Sequence, residues 1–231
     1  MGFASAQPIL RARPPALNWM HVLLLGFGRF PGAPRNPSAI LAERLARRRR
    51  PALAATTRTA HVFATAYAAV DTGLPKLFAD KPDIVLMFGL AARRRHLCIE
   101  TQARNAVSVL FPDARGYRPA RGVIAPRGRA TIRSVAPFAR LLAAARASRM
   151  PSRLSRDAGR YVCNYSYWRA LNLADRQCGA LVQFVHIPRI GFNARRKRKQ
   201  KYRPPAFHMT LAAAENLLIA LIAARRRGHG R

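Results

Sequence analysis

Apolar residues come along this chain in short continuous blocks rather than alternating with polar ones. Residues 21–25 (HVLLL), 84–88 (IVLMF) and 180–187 (ALVQFVHI) read as strands buried on both faces, and residues 97–99 begin another. A short strand is expected at 61–63. Between these blocks the apolar period lengthens to that of a helix. Ser38 stands as an N-cap before AILAERLARRRR, where Ile40, Leu41 and Leu45 share a face, residues 47–50 fall in the last turn and Pro51 ends it. Residues 65–79 read as a helix interrupted near 73–75, and residues 137–149 as an alanine-rich one. Residues 161–171 form an amphipathic segment entered from a turn at 155–159, and Thr210 caps a last helix ending in Arg225, Arg226 and Arg227. Residues 26–37, 112–131 and 194–201 are loops by composition. Buried strands alternating with helices imply an α/β class with a largely parallel, two-sided sheet.

Composition adds charge to this picture. The chain has 231 residues, 42 Lys+Arg against 9 Asp+Glu, and a net charge of +33. Half the residues are hydrophobic, which suffices for an ordinary core and argues against disorder. One folded unit is expected over residues 20–224, with a basic loop at 194–205 and basic tails at 1–19 and 225–231. The apolar stretch after Met20 is too short for a secretory signal, and no uninterrupted apolar run reaches about 18 residues, so no membrane span is expected. Three cysteines, Cys98, Cys163 and Cys178, make no disulfide framework and point to a reducing compartment. The charge alone suggests a polyanion partner, with ARRKRKQKYR and its Tyr202 as the best patch; the same segment also reads as a solvated loop.

Three residues carry candidate chemistry. Cys163 lies where a glycine-bearing turn gives way to a helix, a place that stabilises a thiolate and leaves backbone N–H groups free to hold an oxyanion. His186 ends a strand, where open α/β sheets place catalytic groups, and Glu100 ends LCIE in the same topological position. A carboxylate there can fix one imidazole nitrogen while the other takes the thiol proton. Taken singly, each has a plainer reading: an inert small hydrophobe, a satisfied core histidine and a solvated charge. No histidine–cysteine spacing signals a metal, so no cofactor is expected.

Five blocks, VLLLGFGRFPGAPRNPS, PDIVLMFGLA, IETQARN, SRDAGRYVCNYSYW and FVHIP, occur in the order and at the intervals found in pyroglutamyl-peptidase I, the pyrrolidone-carboxylate peptidase family. The sequence resembles that family from about residue 20 to 222. The resemblance implies a single-domain three-layer α/β/α sandwich with a largely parallel or mixed central sheet. It also implies a cysteine peptidase that cleaves after an N-terminal pyroglutamyl residue, with Cys163 as nucleophile, His186 as base then acid and Glu100 as the orienting member. Phe27 and Phe30 match loop phenylalanines that pack on the pyroglutamyl ring, Asn36 matches the loop asparagine, and Leu90, Tyr161 and Val162 complete the implied substrate pocket. By themselves Phe27 and Phe30 also read as core, and Asn36 as turn chemistry. Partners implied are peptides with N-terminal pyroglutamate and further copies of the chain, as a tetramer, in the cytoplasm and with no membrane. Arg29 and Pro31 stand where the family has Pro and Gly, and Leu90 where many members have Gln; the stretch from Asn105 to Asp113 is longer than usual, with Asp113-Ala114-Arg115 matching the family's Asp-Ala-Arg. The competing reading is a basic relative that binds nucleic acid non-specifically, with weak or altered peptidase activity.

Overall fold

The computed structural model describes residues 19–30, 32–191 and 204–228. Pro31, residues 229–231, nearly all of the expected N-terminal tail and most of the expected basic loop therefore lie outside the described residues. Among the described residues the central sheet has six strands: β1 (Met20–Phe27), β2 (Thr56–Phe63), β3 (Ile84–Leu90), β4 (Leu97–Glu100), β7 (Ser152–Ser155) and β8 (Leu181–Ile187). Two further strands, β5 (Gln102–Arg104) and β6 (Thr131–Arg133), form a separate antiparallel pair. The sheet order is β2-β1-β3-β8-β4-β7. Four strands run parallel, whereas β4 pairs antiparallel with β8 and carries β7 in its own direction.

Among the described residues five α-helices cover the two faces: α1 (Pro37–Ala46), α2 (Tyr67–Ala79), α3 (Phe138–Ala147), α4 (Val162–Leu173) and α5 (Phe207–Gly228). Strand residues sort between the faces by parity. Val22 and Leu24, Ile84, Leu86 and Phe88, and Val185 and Ile187 pack under α1, α3 and α5. Leu23, Leu25 and Phe27, Val85 and Met87, and Val182 and Phe184 pack under α2 and α4. This is the three-layer sandwich, and it explains why the central strands are continuous apolar runs.

Several expected boundaries move, each for a local reason. The cap of α1 is Asn36, whose side-chain oxygen accepts from Ser38 N at 3.1 Å, with Pro37 in the first turn where its missing N–H costs nothing. Ser38 instead turns its hydroxyl onto the Phe27 backbone. The helix ends at Ala46, so Arg48 and Arg50 leave its last turn and both ion-pair with Glu215 of α5, at 2.7 and 2.6 Å. Pro51 opens a short 3-10 turn rather than merely stopping a helix. Strand β2 extends well before the expected residue 61, because as an edge strand it mixes buried and exposed positions and lacks an apolar run. Strand β7 was not expected at all; in SRLS only Ser152 is buried. Helix α5 starts before Thr210 and continues through Gly228, past the expected boundary at 224. By length and apolarity α5 is long enough to cross a membrane, yet eight of its residues, including Glu215, are buried within this fold.

Candidate active site

The chain reaches Cys163 through a tight turn. Ser155 Oγ accepts from Asp157 N, Asp157 Oδ1 accepts from Gly159 N, and Gly159 takes a left-handed φ of 81°. Tyr161 is extended, α4 starts at Val162, and no side chain caps it. Cys163 thus occupies the second helical position, where uncapped N–H groups and the helix dipole favour negative charge. Its Sγ rests against β3: a Cβ built on Gly89 would lie 2.9 Å from that sulfur and 2.8 Å from the Phe184 ring. Only glycine leaves this space. Gly89 is also the register partner of His186 on β8, so the backbone ladder brings imidazole and thiol together.

His186 is nearly buried, and its Nδ1 lies 2.8 Å from Glu100 Oε1. The other ring nitrogen is left to the Cys163 side chain, which hydrogen-bonds the imidazole. Burial alone would lower the histidine pKa, but hydrogen bonds and charge from Cys163 and Glu100 outweigh it and push it up to about 9. The ring is accordingly an imidazolium near neutral pH. Glu100 does not occupy a strand end equivalent to that of His186, as the sequence suggested. Because β4 is antiparallel to β8, Glu100 faces Phe184 in the ladder and reaches His186 diagonally on the same face. Its backbone oxygen accepts from Tyr167 Oη and Gln183 Nε2, both at 2.9 Å.

Arg94 was hidden in an arginine run and is the main site residue the sequence did not single out. Its Nη1 donates to Glu100 Oε1 at 2.6 Å, sharing that oxygen with His186, and its Nη2 donates to Asp157 O in the turn leading to Cys163. One guanidinium therefore ties the carboxylate to the nucleophile's turn.

The expected pocket residues separate into four groups. Phe30 and Tyr161 are half-buried and face each other with ring centroids 6.4 Å apart, while the Tyr161 hydroxyl donates to Pro112 O. Phe27 and Val162 are buried; Phe27 lies beneath the site between Phe63 and Phe184 and presents no open face. Leu90 pairs with Ile187 and, one residue beyond Gly89, belongs to the opposite side of the sheet from Cys163. Asn36 holds the loop: Nδ2 donates to Gly28 O at 3.0 Å while Oδ1 caps α1. Asn36→Ala is expected to cost about 1–2 kcal/mol, read as a lower urea midpoint at unchanged slope. Tyr67 and Asp113 complete the surroundings. Asp113 accepts from Tyr67 N, Arg115 N and Tyr117 N, fixing the long loop against the start of α2. Among the described residues no group of three or more His, Cys, Asp or Glu is placed to hold a metal.

A sequence model of the pyroglutamyl peptidase family matches residues 20–227. The chain is 32% identical over 170 residues to a pyrrolidone-carboxylate peptidase of Gloeobacter violaceus, covering 73% of this chain and 82% of that one. It is 31% identical over 172 residues to one from Streptococcus pyogenes, covering 73% and 78%. Among solved structures, pyroglutamyl peptidase I of Bacillus amyloliquefaciens superimposes with a TM-score of 0.76 at 25% identity, covering 88% of this chain and 97% of that one. The pyrrolidone carboxyl peptidase of Thermococcus litoralis shares the fold, with a TM-score of 0.80 at 22% identity and coverage of 90% and 96%.

Proposed function

Since this chain belongs to the pyroglutamyl peptidase family along residues 20–227, we propose that Cys163, His186 and Glu100 are the residues with which it removes an N-terminal pyroglutamyl group from peptides. The observation that carries this reading is the chain of contacts from Glu100 Oε1 through His186 to the Cys163 side chain at the start of α4. The thiolate attacks the pyroglutamyl carbonyl, and free N–H groups at the start of α4 hold the oxyanion. As the C–N bond breaks, the His186 imidazolium gives its proton to the leaving amine, leaving a thioester on Cys163. Water then attacks the thioester, His186 takes the water's proton, and free pyroglutamate departs as the thiolate–imidazolium pair is restored. Glu100 holds the His186 ring throughout and Arg94 holds Glu100. The lactam lies against the Phe30 and Tyr161 rings, whose flat apolar faces suit a compact neutral ring.

Release of a fluorogenic amine from its pyroglutamyl amide tests this reading. Cleavage is expected for the pyroglutamyl amide and not for the glutamyl amide; no cleavage of either would overturn it. The pH dependence follows from His186. Below about 9 the ring carries the proton the leaving amine needs, and above it the proton is lost. The kcat/KM profile should therefore fall on an alkaline limb near pH 9 rather than near 6.5. Assembly with further copies and a cytoplasmic setting belong to the same proposal. The polyanion-binding alternative rests on the +33 charge, and its main basic segment lies mostly outside the described residues.

A further inference from the structure

Tyr67 contributes to the site a polar group with no structural task. It stands at the first position of α2 and is 3% exposed, and its hydroxyl is buried without a hydrogen-bond partner. Such an orphan is costly in a folded protein and is retained where something else satisfies it. The ring is held from three sides, edge-on to Tyr161 at 6.1 Å, Tyr165 at 5.0 Å and Tyr117 at 6.1 Å. Two of the neighbouring hydroxyls are engaged elsewhere, Tyr161 with Pro112 O and Tyr165 with Asp71. Tyr161 is also the ring that faces Phe30, so Tyr67 packs edge-on against one wall of the cleft beside Cys163. Burial, together with Tyr161, Asp113 and Cys163, pushes its phenol above the ordinary tyrosine range, so it remains a protonated donor.

The lactam ring has one amide to be recognised, and its carbonyl oxygen is a strong acceptor. Strand β3 offers it no side-chain donor, because Gly89 has none and Leu90 is apolar and lies on the other face. We propose that Tyr67 is a substrate-binding residue whose hydroxyl donates to the ring carbonyl of the pyroglutamyl group. This rests on the peptidase reading above and adds the means by which an oxidised five-membered ring is told from a plain one. A site that leaves a buried donor unpaired rejects a ring lacking the acceptor far more strongly than shape alone can.

The test uses the full chain and its Tyr67→Phe variant. Removing the hydroxyl should raise KM for the pyroglutamyl amide about 10- to 100-fold with a smaller change in kcat. It should raise the inhibition constant of 2-pyrrolidone, the bare lactam, by a similar factor. The rate of Cys163 alkylation by iodoacetamide against pH should not move, since the thiol and imidazole are untouched. The urea midpoint should stay level or rise, because an unpaired buried group has been removed. Unchanged KM and unchanged 2-pyrrolidone inhibition would overturn the proposal. So would a loss of activity accompanied by lower stability and slower alkylation, the mark of a merely structural tyrosine. Failure of the parent protein to cleave any pyroglutamyl amide would instead sink the peptidase reading itself, so the two outcomes remain separable.

Discussion

Replacing Cys163 by alanine is expected to abolish amine release, by about 10^4-fold or more, while the protein stays folded. The nucleophile is the sole atom lost, and the alanine methyl still faces Gly89 without crowding it. Cys163→Ser should be equally inactive, because a hydroxyl in the same place is not ionised by an imidazolium neighbour. The other thiol near the histidine makes this a real discrimination. Cys98 is the register partner of His186 across β4 and β8, so sequence distance alone does not exclude it. It is fully buried within a strand, though, and its Sγ is turned toward His96 O. Cys98→Ala should keep activity within a few-fold. Loss of activity in Cys98→Ala with full activity in Cys163→Ala would reverse the assignment.

Glu100→Gln is expected to produce the second largest effect, a fall in kcat of roughly 10^2- to 10^4-fold. The amide is nearly isosteric and can still accept from Arg94 and from His186 Nδ1, so geometry is largely kept and charge is removed. Two consequences separate a charge effect from a shape effect. The imidazolium loses its anionic partner, so the alkaline limb of kcat/KM should move below the pH of about 9 expected with the carboxylate in place. Arg94, whose side chain is 23% exposed, would face an uncompensated environment, costing roughly 2–4 kcal/mol, less than for a fully enclosed pair. Chemical denaturation at one pH and rate profiles across several measure the two separately. A Glu100→Gln enzyme with an unmoved alkaline limb would show that the carboxylate does not act through His186.

Much of this arrangement is legible in the residues. The continuous runs around Leu24, Leu86 and Val185 announce strands covered on both faces, and they are the centre of the sheet. Cys163 after a glycine turn and His186 before Pro188 are readable as helix-start and strand-end positions, and the structure puts them together. What was not legible has physical causes. A strand's direction leaves no mark on its composition, so the reversal of β4 could not be seen in LCIE. Edge strands such as β7 have little apolar surface to bury and give no pattern. Arg94 looks like its neighbours because what distinguishes it is a contact with Glu100, not a residue type. Leu90 is different. Counting parity from Gly89 puts its side chain on the face away from Cys163, as the β3–β8 register has it.

The reversal of β4 has a bearing on how this protein tolerates change. Glu100 and His186 sit on two strands that are directly hydrogen-bonded to one another, so their 2.8 Å contact is set by ladder register. Neither residue depends on the surrounding loops for its spacing. The loops, by contrast, hold Phe30, Tyr161 and the long stretch around Asp113, and they carry the departure at Arg29. Changes in length or composition within those loops therefore leave the spacing of the proton-handling pair untouched.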